Sequence, residues 1–203
     1  SHLRIGQAPE DLHATRIATG GAHVMLGCDL VVAAASESLT KVRAGITRAV
    51  INSYEAITGD FTRNPDLRIP SAEMGKAIVD AVGANAVKFI DASRLATALM
   101  DDTLATNMFL VGFAWQQELI PLNAQAIEQA ITLNGVAVTM NKRAFLWGRR
   151  AAVMPRAVAE LVEPRVPAEP NIATSLDDII RRRAHVLTEY QRQATANRFT
   201  EFV

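Results

Sequence analysis

Cysteine is almost absent from this chain, and neither sign of charge is in excess. The 203 residues contain a single cysteine, Cys28, and 21 Lys and Arg balance 21 Asp and Glu. One thiol excludes an intrachain disulfide, a cysteine-based zinc site and an iron–sulfur cluster ligated by this chain alone. Nucleic-acid binding normally requires a basic excess that neutralises phosphates, so the balanced charge disfavours nucleic acid as a partner.

Long hydrophobic runs are also missing. The most apolar stretch, 104–115, is interrupted by Thr106, Asn107 and Gly112, whereas a membrane-spanning helix needs roughly 20 apolar residues. No signal peptide is visible, and the apolar content of 49% is that of an average folded protein. The sequence therefore predicts a folded, cytoplasmic protein that does not interact with membranes.

Familiar catalytic and metal-binding motifs are absent. GxxxxGK[ST], GxSxG and HExxH do not occur, and Gly20-Gly21 lacks the spacing that lets backbone N–H groups bind a pyrophosphate. The four histidines are scattered along the chain and do not cluster in the sequence, so they predict no metal site. Cys28 precedes a predicted buried strand, where a free cysteine usually acts as a small apolar side chain. These patterns predict no catalytic residue.

Strand and helix patterns alternate over the first half of the chain. Residues 29–34 form an apolar run without polar alternation, which is typical of a strand buried on both faces. Ser36 is predicted to cap a helix that runs to Arg43, and the next strand covers 49–53. This strand–helix–strand unit of about 25 residues fits a parallel crossover. Asp91 is predicted to cap a further helix that begins at Ala92. The other elements predicted in this half are strands at 1–6 and 86–90 and a helix at 70–82 with Met74, Ile78 and Val82 on its apolar face.

The second half of the chain is predicted to be helical. A break is expected at 148–150, and three prolines between 164 and 170 indicate an extended linker. Ser175 begins a capping signature before a final amphipathic helix. We therefore predict an α/β domain over 1–150, followed over 151–203 by a helix, the proline-rich linker and a C-terminal amphipathic helix. The helices predicted before the linker cover 104–118, 123–133, 137–147 and 151–162.

The loops after the predicted strands form the candidate ligand-binding region, because ligands of open parallel sheets bind outside the carboxyl ends of the strands. The loop 52–60 is unusually polar for a short crossover, and Asp91 follows the next strand. Asn107 lies in an otherwise apolar helix, where a buried asparagine would bind a neighbouring backbone or face an interface. The alternative is that these are turn and cap residues. The candidate ligand contacts are Asn52, Thr58, Gly59, Asp60, Asp91 and Asn107.

Several longer stretches carry a family resemblance. They are SHLRI (1–5), GCDLVVAA (27–34), AVINSYEAITGDFTRNPDL (49–67), DASRLATALMDDTLATNMFLVGFAWQQELIPL (91–122) and LNGVAVTMNKRAFLWGRR (133–150). Together they resemble the gamma-type domain of the 2-oxoacid:ferredoxin oxidoreductases, closest to the large fused bacterial indolepyruvate ferredoxin oxidoreductases. The run over 91–150 is much more specific than any single glycine motif.

The resemblance implies a fold, an activity and partners. The fold would be α/β, a Rossmann-like open parallel sheet with flanking helices, incomplete at the N-terminus because a glycine-rich strand–loop–helix precedes it in the family. The parent enzyme would use thiamine diphosphate, Mg²⁺ and 4Fe-4S clusters to decarboxylate an arylpyruvate oxidatively, with coenzyme A as acyl acceptor and ferredoxin as electron acceptor. This fragment of a larger fused chain would bind none of these cofactors, act in assembly or on the coenzyme A side, and be inactive alone.

A second hypothesis belongs to another class of protein. The chain could be a non-catalytic interaction domain with a Rossmann-like fold, either dimerising with a second copy or contacting other domains of the oxidoreductase. An independent nucleotide-binding oxidoreductase is disfavoured, because the sequence has no dinucleotide-binding fingerprint.

Overall fold

Three parallel strands form the centre of the fold in the computed structural model. They are β1 (Val24–Gly27), β2 (Arg48–Asn52) and β3 (Val87–Ile90), and they lie side by side in that order. The predicted α/β class and open parallel sheet are confirmed. The residues that the structure describes are 1–55, 70–162, 175–190 and 193–202.

One face of the sheet is covered by the crossover helices. Alternate residues of β2, Ala49 and Ile51, turn to this face and are fully buried there. Ile78 and Val82 from α3 pack against them, as do Leu30 and other apolar residues of the first crossover. The described helices of both connections therefore cover the same face. Their helices are α1 (Leu30–Ala34), α2 (Ser36–Leu39) and α3 (Ser71–Val82).

The opposite face carries a larger helical layer. Val50 of β2 turns to this side and packs with Ala92, Leu95, Phe109, Leu110 and neighbouring residues in the main apolar core. None of the helices in the described parts of the chain is long and apolar enough to cross a membrane. The layer consists of α4 (Ala92–Met100), α5 (Thr106–Gln116), α6 (Ala124–Asn134), α7 (Val138–Val153) and α8 (Pro155–Val162).

The closest helix–helix contact in this layer joins α5 to α7 through two glycines. A Cβ atom on Gly112 would lie 2.1 Å from the carbonyl oxygen of Phe145, and one on Gly148 would lie 1.9 Å from the carbonyl oxygen of Phe109. The two backbones therefore meet directly, which only glycine permits at these positions. Phe109 and Phe145 are buried beside this contact.

Two predicted strands are wrong. Residues 30–34 form α1, because the Asp29 carboxylate accepts a hydrogen bond from the Val32 backbone N–H at 2.9 Å and caps the helix. The strand lies just before it, at β1, since a short apolar run cannot by itself separate strand from helix. The predicted strand at 1–6 contains no regular structure, and its residues are exposed.

Several predicted helix limits are also wrong. The expected break at 148–150 lies within α7, because Gly148 is a contact residue for α5 and does not end the helix. The predicted domain boundary at 150 consequently falls inside α7, and the helix predicted from 151 begins as α8 at Pro155. Ser36 starts α2 but does not cap it, and α2 ends at Leu39 before the expected Arg43.

The chain divides into two compact units, Ser1–Glu163 and Pro164–Val203. The second unit contains α9 (Leu176–Tyr190) and α10 (Gln193–Phe202), which pack against each other. Ser175 directly precedes α9, as the capping signature predicts. The proline-rich linker lies outside the described residues.

We expect Gly148→Ala to destabilise the protein by about 2–3 kcal/mol, because the added methyl group forces α5 and α7 apart. Urea unfolding followed by circular dichroism measures the effect. The matched control is Gly75→Ala in α3, where the new Cβ meets the Phe89 ring at an ordinary 3.7 Å. This control should keep or raise stability, because alanine favours helix by about 0.5–1 kcal/mol over glycine. Equal stability of the two variants would contradict the close-contact account.

Candidate functional site

The carboxyl ends of the three strands bring three sequence-distant loops together. Cys28 follows β1, Asn52 ends β2, and Asp91 follows β3. Since the strands are parallel and adjacent, these residues lie along one edge of the sheet. This edge is the candidate site.

Asn52 connects the three loops by hydrogen bonds. Its buried Nδ2 donates to the Cys28 carbonyl at 3.0 Å and to Ser93 Oγ at 2.9 Å. Its Oδ1 accepts from the backbone N–H groups of Ala92 at 3.0 Å and of Tyr54 at 3.3 Å. An amide has two donors and one acceptor oxygen with two lone pairs, so these bonds use its whole capacity. Asn52 therefore positions the loop backbones around it.

The hydrogen-bond network continues from Ser93 into the helical layer. The Ser93 backbone N–H approaches Asn52 Oδ1 at 3.4 Å, and Thr106 Oγ1 lies 3.5 Å from Ser93 Oγ. Thr106 Oγ1 also donates to the Thr103 carbonyl at 2.7 Å. Through these bonds the edge of the sheet is linked to the starts of α4 and α5. Every buried side-chain N and O atom of the described residues has a partner.

Asp91 caps α4, as predicted. Its Oδ1 accepts from the Arg94 backbone N–H at 3.0 Å, and its Oδ2 accepts from Arg94 Nε at 3.2 Å. Asp91 and Arg94 also line a cavity of about 260 Å³ whose walls include Phe113 and Pro155. The Asp91 carboxylate thus pairs with the Arg94 guanidinium at the wall of a cavity whose other lining residues are mainly apolar.

Cys28 is an exposed free thiol at the same edge. Desolvation of the sulfur, and then the neighbouring Asp29 carboxylate, raise the pKa of the Cys28 thiol above its ordinary value. The thiol therefore stays protonated at neutral pH, which is the opposite of what a cysteine nucleophile requires. That Cys28 has no catalytic role stays a prediction.

The predicted site residues separate into three groups. Asn52 and Asp91 lie at the same edge, whereas Thr58, Gly59 and Asp60 lie outside the described residues. The expectation that Asn107 is buried is wrong: its side chain is exposed and forms no hydrogen bond with a described residue, while the adjacent Thr106 is buried. Packing of Phe109 and Leu110 into the core fixes this orientation of α5. Contact of these candidates with a ligand stays a prediction.

Sequence analysis missed Ser93 and Thr106. Ser93 lies in the first turn of α4, where serine is common for structural reasons, so nothing in the sequence distinguishes it as a partner of Asn52. Among the described residues no group of three His, Cys, Asp or Glu side chains is arranged to hold a metal ion. The side chains at this edge form hydrogen bonds that hold the loop backbones in fixed positions.

We expect Asn52→Ala to lower the free energy of unfolding by about 2–4 kcal/mol, because it leaves buried backbone and hydroxyl groups unsatisfied. Asn107→Ala is the matched control and should change stability by less than about 0.5 kcal/mol, since Asn107 is exposed. Denaturant titration of both variants measures the difference. A large loss at Asn107 or none at Asn52 would show that the network is not what holds the three loops.

The pKa of the Cys28 thiol generates a second prediction for this edge. The rate of alkylation by iodoacetamide should rise with pH at a midpoint above that of free cysteine, because the folded protein disfavours the thiolate. Asp29→Asn should lower the midpoint by removing a negative charge, while asparagine still caps α1. A midpoint at or below that of free cysteine would contradict the account.

Comparison with known proteins identifies the family. The family model described as pyruvate ferredoxin/flavodoxin oxidoreductase matches residues 1–151, about three quarters of the chain. No curated protein and no solved structure gives a significant match. The matched residues contain the three described strands, α1 to α6 and most of α7. The chain belongs to the pyruvate ferredoxin/flavodoxin oxidoreductase family.

Proposed function

We propose that this chain is the gamma-type domain of an indolepyruvate-type 2-oxoacid:ferredoxin oxidoreductase, inactive on its own. The observation that carries the proposal is the family match over residues 1–151. The stretches quoted above resemble the indolepyruvate type more than other members, which supports an arylpyruvate as the substrate of the parent enzyme. In that reaction the 2-oxoacid loses carbon dioxide, coenzyme A accepts the acyl group, and ferredoxin accepts two electrons.

An iron–sulfur cluster does not fit the residues of this chain. A 4Fe-4S cluster takes four thiolates, and the sequence contains Cys28 alone. Among the described residues no three His, Cys, Asp or Glu side chains lie together as ligands for a metal ion such as Mg²⁺. We therefore propose that thiamine diphosphate, Mg²⁺ and the clusters bind to other polypeptide segments of the enzyme, and we derive no step through them.

The contribution proposed for this domain is structural and lies on the coenzyme A side. The Asn52 side chain forms hydrogen bonds with the loops after β1, β2 and β3. Its bond from the Tyr54 backbone N–H holds the start of the polar loop 53–60 in place. In the sequence that loop contains Thr58, Gly59 and Asp60, and Asp91 lies at the same sheet edge as Asn52. These groups are suited to the polar parts of coenzyme A, with Asn52 as their positioning residue.

The alternative is a non-catalytic interaction domain, and one observation favours it. Leu133 and Val136 near the end of α6 are 80% and 66% exposed, and Leu161 of α8 is 66% exposed. Such side chains suit burial against a second copy or another domain. The apolar helix α5 does not add to this argument, because Phe109, Leu110 and Phe113 are used in the domain's own core.

The activity test uses the native enzyme, isolated with an antibody raised against this chain. We expect indolepyruvate, together with coenzyme A, to reduce a viologen dye, and pyruvate to be a much poorer substrate. The isolated 203-residue chain should give no activity under the same conditions. An antibody-purified protein without 2-oxoacid-dependent reduction would overturn the enzyme proposal and leave the interaction domain.

A separate measurement addresses the coenzyme A side. Hydrogen–deuterium exchange of the native enzyme with and without coenzyme A should show protection over 52–60 and at the start of α4. Protection confined to other segments would contradict this role while leaving the reaction unaffected.

A further inference from the structure

The charge of α7 is unusual for a helix with a solvent-facing side. Its 16 residues include Lys142, Arg143, Arg149 and Arg150 but no Asp or Glu. Opposite charges at helical spacing stabilise an exposed helix, and like charges destabilise it. Neither Arg143 nor Arg150 forms an ion pair with any residue that the structure describes.

The two adjacent arginines near the end of α7 have different surroundings. The Arg149 guanidinium lies 4.6 Å from the centre of the Trp115 ring, and its Nε donates to Gln116 Oε1 at 3.2 Å, so Arg149 belongs to the contact with α5. Arg150 is exposed, and its guanidinium lies 4.9 Å from the centre of the Trp147 ring. The ring restricts the Arg150 side chain while its N–H groups remain accessible.

Apolar side chains share the outward face of α7 with Arg143 and Arg150. Leu146 is 41% exposed and Val153 63% exposed. Successive spacings of three, four and three residues place Arg143, Leu146, Arg150 and Val153 in one stripe, opposite the buried Gly148. This α7 stripe is about 15 Å long, from a rise of about 1.5 Å per residue. Arginine and tryptophan beside exposed aliphatic groups are the residue types that carry binding energy at protein interfaces.

We propose that the α7 stripe docks an acidic amphipathic segment of a partner polypeptide within the parent oxidoreductase. Leu146 and Val153 would contact apolar side chains of the partner, and carboxylates on either side would pair with Arg143 and Arg150. Guanidinium groups bind carboxylates through two parallel hydrogen bonds, which gives the contact its specificity. The inference rests on the proposed function only in placing the partner within that enzyme.

Other polyanions fit this surface less well. A nucleic acid would need a continuous row of cations, whereas the arginines of the stripe alternate with aliphatic residues, and the whole chain carries no net charge. A stable interfacial helix in a lipid surface needs a wide apolar face, and the stripe offers two aliphatic side chains. A protein segment that carries both carboxylates and apolar residues matches both features of the stripe.

The test replaces Leu146 with the photoreactive residue p-benzoylphenylalanine in the native enzyme. After irradiation, the cross-linked peptides are sequenced by mass spectrometry, and 2-oxoacid-dependent viologen reduction is measured on the same preparation. We expect a cross-link to a peptide outside this chain that carries at least two carboxylates at helical spacing. Arg143→Glu combined with Arg150→Glu should lower the cross-linking yield by about tenfold or more, because both charge pairs become repulsive.

The matched control is Arg43→Glu, an exposed arginine between α2 and β2, which should leave the yield unchanged. Cross-links confined to this chain, to nucleic acid or to lipid would overturn the proposal, as would a yield that the double variant does not alter. Activity on the same sample separates the two hypotheses. An active enzyme without the expected cross-link refutes the docking surface alone, and an inactive one with the cross-link refutes only the proposed reaction.

Discussion

The direct backbone contact between α5 and α7 is the constraint on which the helical layer depends. Gly112 and Gly148 allow each helix to lie against a carbonyl of the other, at distances that any side chain would prevent. This contact sets the rotation of both helices. It turns Phe109 and Phe145 into the core and, on the far side of α7, leaves the stripe of arginines and aliphatic residues facing outward. A single packing requirement thus determines both the core and the proposed docking surface.

At the sheet edge, hydrogen bonds to one side chain play the same organising role. Asn52 is buried at the end of the central strand, where an unsatisfied amide would be costly. The surrounding loops satisfy it completely, and through Ser93 and Thr106 the same network reaches the helical layer. Asn52 therefore fixes the positions of the backbones around it, and ligand contact by the polar loop that follows it stays a prediction.

Local sequence patterns predicted the elements whose formation depends on neighbouring residues alone. Three features predicted from short segments are present in the structure. They are the apolar face of α3, the Asp91 cap and the parallel crossover. Residues 29–34 were assigned wrongly because an apolar run of this length suits either a strand or a capped helix. Gly148 was interpreted as a helix break because its true role, contact with a helix more than thirty residues away, leaves no local signal.

The sequence predicted which loops form the candidate site, but not all of the side chains that meet there. The position of the polar loops follows from parallel strands, so Asn52 and Asp91 were found from their place after strands. The buried state assigned to Asn107 was wrong because neighbouring helix positions differ by about 100° in direction, and tertiary packing selected Thr106 for burial. Ser93 was missed because only the folded chain brings it to Asn52.

Electron cryomicroscopy of the native oxidoreductase tests the central claim most directly. The claim is that residues 1–151 hold no redox or thiamine cofactor and serve to position loops and join the assembly. The account predicts that no residue of this domain ligates an iron–sulfur cluster, Mg²⁺ or thiamine diphosphate, and that the α7 stripe is covered by an acidic segment of another part of the enzyme. A map in which these residues contact thiamine diphosphate or a cluster, with the stripe left in solvent, would contradict it.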